Sequence, residues 1–151
     1  MDDIILTKIK SRYKNQSARN EKYNLTPPPV EDYISLVQES IDNGFKCFYC
    51  GELMLAIDKK PYPLVFSIDH KTPISSGGKA DKTNLCVCHH RCNIAKGTVG
   101  YKIFLEMAKN KKLFIKFVKE AFAGGLGYKT ERTQLEKELK RGVMLNGSKN
   151  K

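Results

Sequence analysis

A chain of 151 residues, 40% of them hydrophobic, has room for one compact domain with a modest core. Its 27 Lys and Arg against 16 Asp and Glu leave a net charge of +11, which favours a polyanionic partner through counterion release and points first to nucleic acid. No run approaches the ~20 apolar residues of a membrane span and no apolar signal stretch opens the chain, so a membrane partner is not expected and the cytoplasm is the expected compartment.

Residues 1–24 are polar and basic, with Ile4, Ile5, Leu6 and Ile9 as apolar anchors; they predict a short helix running into a basic stretch. In that stretch Lys8, Lys10, Arg12, Lys14, Arg19 and Lys22 are opposed only by Glu21. Pro27, Pro28 and Pro29 stop regular structure, and a helix over 30–42 follows, with Ile34, Val37 and Ile41 on its buried side. Asn43-Gly44 ends it, since both residues tolerate a left-handed cap. A turn holding Cys47 and Cys50 comes next, then a strand over 64–68, rich in branched and aromatic residues, that delivers Asp69 and His70 at its end. A polar loop with Pro73 and Gly77-Gly78 leads to a second strand over 84–88, and a helix begins after Cys92. Beyond Tyr101 the pattern is helical, Phe114, Phe117, Val118, Ala121 and Phe122 forming a wide apolar face that reads as core. A last helix over 133–141 opens with Thr133-x-x-Glu136, and 146–151 read as a disordered tail.

All five cysteines and all three histidines lie between positions 47 and 92. Without a secretion signal, cysteines paired at short spacing point to a metal rather than to disulfides. Cys47-x-x-Cys50 and a second pair ending at Cys92 suit tetrahedral, structural Zn2+. The second pair is either His89 with Cys92 or Cys88 with Cys92, the first matching the spacing of the opening knuckle. Cys86, mid-strand, reads as a small buried hydrophobe.

Asp69-His70, Asn84 and Asn93-x-x-Lys96 supply what metal-assisted phosphodiester cleavage needs. Imidazole titrates near neutrality, so His70 can take a proton from the attacking water. Asp69 and Asn93 offer the hard oxygen donors that Mg2+ or Mn2+ accepts. Lys96, one turn past Asn93, is placed to pair with phosphate, and Asn84 to orient the imidazole. Each piece alone is an ordinary loop or cap residue; their joint order between two knuckles carries the weight.

The pattern C47-x-x-C50-G, D69-H70-x-x-P73-x-x-x-G77-G78, N84-L85 and C92-N93-x-x-K96-G97 resembles the HNH endonuclease family. The resemblance covers roughly 45–100. It implies an α+β, treble-clef-like ββα-metal core with His70 as general base, Asp69 and Asn93 on the catalytic ion, and Asn84 as the supporting middle residue. It also implies a helix set against two antiparallel strands and a site open to duplex DNA. The chain departs from the family in carrying Asn93 where His is frequent, and His89 at a position often held by Cys. The expected organisation is a basic helical extension over 1–44, the nuclease core over 45–100, helices packing on it over 101–145, and the tail. Arg12, Lys14, Lys71, Lys79, Arg91, Lys96 and Lys102 are the candidate phosphate contacts, joined by the outer faces of the C-terminal helices around Lys109, Lys112 and Lys116.

Double-stranded DNA is the expected substrate, and a homodimer or a phage or restriction protein the expected kind of protein partner. Two other classes stay open: a non-catalytic zinc-stabilised DNA-binding module, against which the joint presence of Asp69, His70 and Asn93 speaks, and a nuclease acting on RNA. Homing, restriction and phage packaging, like nicking and double-strand cleavage, all suit such a module.

Overall fold

A computed structural model of the chain describes residues 1–56, 64–97 and 101–124. The chain divides into two compact units, Met1–His89 and His90–Lys151.

The first unit opens with α1 (Asp3–Lys22), a single 20-residue helix rather than a short one. Asp2 caps it, its carboxylate accepting from the Ile4 amide at 2.8 Å. The helix ends where the Tyr23 and Leu25 amides both turn back to the Asn20 carbonyl and Asn24 takes a positive φ of 56°. Pro29 stands just outside α2 (Val30–Asp42), where its fixed φ suits the entry to a helix. The buried side of α2 is centred on Tyr33 and Val37, with Ile34 and Ile41 half-buried. This is a shift from the Ile34, Val37 and Ile41 stripe, made because the Tyr33 hydroxyl finds a buried partner in Gln16.

Strands β1 (Phe66–His70) and β2 (Leu85–His89) form a two-stranded antiparallel sheet in which Ile68 faces Val87 and Asp69 faces Cys86. Strand β1 starts two residues later than expected. The stretch before it is engaged elsewhere, Leu55 giving its amide to the Leu64 carbonyl and taking the Phe66 amide. Asp69 and His70 therefore lie inside the ladder, held by backbone pairing, and not in the loop beyond it. The core of this unit includes Ile9, Tyr33, Val37, Met54, Val65, Phe66, Ile68, Leu85 and Val87.

The second unit holds α3 (His90–Lys96), α4 (Tyr101–Lys109) and α5 (Lys111–Gly124). Ala95, Phe104, Met107, Phe114, Phe117 and Val118 are buried, and the Phe104 and Phe114 rings meet edge to face at 5.2 Å. Asn110 separates α4 from α5, its carbonyl accepting the Phe114 amide at 2.9 Å. The helix expected over 133–141 and the tail over 146–151 lie outside the described residues, as do the side chains of Ala121 and Phe122. Secondary structure is thus α+β, with the chain order β1-β2-α3 of a ββα core. Among the described residues no helix is long and apolar enough to cross a membrane.

Candidate metal centre and adjoining site

The Cys47–Gly51 knuckle is closed by two backbone bonds, Cys47 N–H to the Glu52 carbonyl at 2.8 Å and Gly51 N–H to the Cys47 carbonyl at 2.9 Å. Gly51 takes φ +75°, a conformation that side chains other than glycine's rarely adopt. The Phe48 amide reaches the Val87 carbonyl at 3.0 Å and so fastens the knuckle to the outer edge of β2. This brings Cys50 Sγ to 3.2 Å from His89 Nδ1, while Cys47 Sγ accepts the His89 backbone N–H at 3.3 Å.

His89 is fully enclosed, and its other ring nitrogen, Nε2, lies 2.9 Å from the Leu53 carbonyl. A carbonyl only accepts, so Nε2 carries a proton and Nδ1 is the ring nitrogen turned towards the cysteines, which is how a zinc-binding histidine is oriented. Burial draws the imidazole's pKa down, but hydrogen bonding to the Cys47 and Cys50 sulfurs outweighs it and the pKa rises to about 10. Two cysteine sulfurs and an imidazole nitrogen are a donor set that fits Zn2+. Cys88 alternates to the opposite face of β2, where it joins Cys86 and Asp69 in a second group whose ligand atoms lie within 4.8 Å of one another. Cys92 sits in the first turn of α3, three residues along the chain from His89.

Asp69 is half-buried, and its Oδ2 accepts the Tyr49 hydroxyl at 2.6 Å. Burial, then the neighbouring Cys86 and Asp69, push the Tyr49 pKa far above that of an ordinary phenol, so the hydroxyl stays a donor at any working pH. His70 follows, half-buried at the last position of β1.

The chain past His70 is stapled by Asn84. Its Oδ1 accepts the Thr72 amide at 2.9 Å, and its Nδ2 donates to the Thr72 and Lys79 carbonyls, each at 2.9 Å. The Asn84 carbonyl also takes the Lys71 amide at 2.8 Å. Both amide hydrogens are thereby used on the loop backbone, a different arrangement from the imidazole contact expected of Asn84. Gly78 closes the same loop: a Cβ there would stand 1.9 Å from the Thr72 carbonyl oxygen and 2.9 Å from Asn84 Nδ2.

The candidate phosphate contacts divide by exposure. Lys14, Lys79 and Lys102 are exposed, whereas Lys96 and Arg91 are only 2% and 7% exposed and are enclosed by protein. Asn93 is half-buried. Lys71 donates to the Thr83 carbonyl at 3.3 Å and lies 5.1 Å from the Phe48 ring centroid. Arg12 is turned inward, its guanidinium against the Ile68 carbonyl at 3.3 and 3.4 Å.

Residues 47–98 match the family model of the HNH endonuclease. This stretch is similar to the HNH endonuclease domain. The matched stretch includes both strands, the knuckle, Asp69-His70, Asn84 and α3 through Lys96. No curated protein and no solved structure matches the chain. The match to residues 47–98 supports a nuclease-type, hydrolase activity in general terms. Tyr49, Gln16 and Tyr33 were not singled out by the sequence; only Tyr49 carried a signal, as a phenol placed inside a metal knuckle.

Proposed function

We propose that the protein is an HNH endonuclease that hydrolyses phosphodiester bonds in double-stranded DNA. The observation that carries this reading is the consecutive pair Asp69-His70 fixed in the last two positions of β1, with the carboxylate held by Tyr49 at 2.6 Å. A carboxylate and an imidazole locked by a strand ladder differ little between the free and the reacting protein, which is what transition-state stabilisation requires.

In this reading His70 accepts the proton of the attacking water and the resulting hydroxide adds to phosphorus in line with the leaving 3′ oxygen. Asp69 and Asn93 supply a carboxylate and an amide oxygen to Mg2+ or Mn2+. An ion held there would supply charge neutralisation on the phosphate in the transition state. Asn84 positions His70 through the loop it staples. The exposed Lys14, Lys79 and Lys102 contact the DNA backbone without reading sequence. A structural Zn2+ is held by Cys47, Cys50, His89 and Cys92, four donors of the sulfur and nitrogen chemistry that zinc takes.

Competition between duplex DNA and RNA substrates of one sequence, in Mg2+ or Mn2+, tests the substrate. Preferential cleavage of duplex DNA is expected. Preferential cleavage of RNA would make the protein a ribonuclease, and DNA binding without metal-dependent turnover would reduce it to a zinc-stabilised binding module.

A further inference from the structure

Ile68 and Val87 stand opposite each other in the sheet, and the carbonyl of each points outward. That of Val87 is taken by the knuckle through the Phe48 amide. The Ile68 carbonyl lies on the outer edge of β1, two residues past Phe66, whose amide on the same edge is taken by Leu55. Here side chains of α1, 52 and 56 residues earlier, reach it: Gln16 Nε2 at 2.8 Å and the Arg12 guanidinium at 3.3 and 3.4 Å. The Gln16 bond is of full strength, while the Arg12 contacts are long.

Behind Gln16 the network continues. Its Oε1 accepts the hydroxyl of Tyr33, a fully buried residue of α2. The Tyr33 ring meets Tyr13 edge to face at 5.1 Å, and Tyr13 donates to the Pro28 carbonyl at 2.8 Å. Both ends of the Gln16 amide are therefore committed, and it cannot flip without breaking two buried hydrogen bonds. Lys8 lies over the Phe66 ring at 4.8 Å, a second contact of α1 with β1.

The Ile68 carbonyl belongs to the peptide that joins Ile68 to Asp69. Rotation of that peptide plane would swing the Asp69 carboxylate and, one residue on, the His70 ring. We propose that Gln16, braced by Tyr33 and assisted by Arg12, is a positioning residue for Asp69 and His70, making α1 part of the catalytic apparatus outside the HNH match. This rests on the reading of Asp69 as a ligand of the catalytic ion and His70 as the base. It also gives Arg12 a role in place of the DNA contact expected from its position in a basic stretch.

The test compares Gln16→Met with the double variant Gln16→Met/Tyr33→Phe, which removes the donor to Ile68 while leaving no tyrosine hydroxyl unpaired. Four quantities are read in the full chain: Mn2+ affinity by electron paramagnetic resonance, the kcat and KM for plasmid nicking, and melting temperature. The double variant is expected to melt near the wild type yet to bind Mn2+ several-fold more weakly, with kcat down about tenfold and KM unchanged. A double variant with wild-type Mn2+ affinity and kcat would reduce the network to a fold brace and overturn the proposal. Asp69→Ala separates the two claims. Unchanged Mn2+ binding in that variant would sink the underlying assignment of the ion, whatever Gln16 does.

Discussion

The Tyr49 hydroxyl and the Asp69 carboxylate meet at 2.6 Å, joining the middle of the Cys47–Cys50 knuckle to the strand that carries the proposed base. Tyr49 is held by the turn that the cysteines close, so the position of Asp69 depends on the knuckle being folded. Tyr49→Phe keeps the ring and removes only this bond. We expect zinc content to stay at the wild-type level while nicking falls roughly 10-fold, the usual scale for a group supporting a metal ligand. Unaltered turnover would show that the carboxylate needs no such support.

His89 and Cys88 are neighbours on β2 and face opposite ways, so their variants should separate cleanly. His89→Ala is expected to lower bound zinc well below one equivalent and to destabilise the fold, since zinc binding and folding of such a site are linked. Cys88→Ala should keep full zinc content and cost only the packing of a small buried side chain. Metal analysis of the two purified variants decides it, and zinc lost from Cys88→Ala alone would reverse the assignment.

How much of this was legible in the sequence depends on the range of the interaction. The bounds of α2 follow from Pro29 before it and Asn43-Gly44 after it, local signals that the structure repeats residue for residue. The C-x-x-C turn and the Asp69-His70 pair are likewise short-range patterns. The contacts that organise the site span more chain: Tyr49 to Asp69 crosses 20 residues and Gln16 to Ile68 crosses 52. Such bonds leave no periodicity, and Gln16 in a basic amphipathic stretch looks like any solvated residue. The two-residue shift of β1 has the same origin, for Leu55 captures the backbone of Leu64 and Phe66 in a way no local propensity encodes.

Gly78 sits where a methyl group would overlap the Thr72 carbonyl. Gly78→Ala must push the backbone away from Asn84, and we expect a loss of about 2 kcal/mol, within the range of overpacking substitutions. Asn84→Ala leaves the Thr72 amide and the Thr72 and Lys79 carbonyls without their side-chain partner, at a cost of roughly 1–3 kcal/mol. Chemical denaturation measures both, and nicking should fall in each folded variant because the chain beyond His70 is loosened. A tolerated Gly78→Ala would mean the loop is not closed in this way.

Lys109, Lys112 and Lys116 are all exposed in the second unit. If their faces touch DNA, reversing the three to Glu should weaken duplex binding and flatten its salt dependence by about one unit of slope for each lost phosphate contact. Binding isotherms at several salt concentrations measure this. Identical affinity and slope would confine DNA contacts to other lysines.

His70 carries the central claim. Supercoiled plasmid incubated with the purified protein in Mg2+ or Mn2+, beside EDTA and His70→Ala controls, should pass to nicked and then linear forms only with metal and wild-type protein. His70→Ala is expected to slow nicking by at least ~100-fold, the scale of a lost general base, with zinc content and melting temperature unchanged. A folded, zinc-loaded His70→Ala variant that nicks at the wild-type rate would contradict the account.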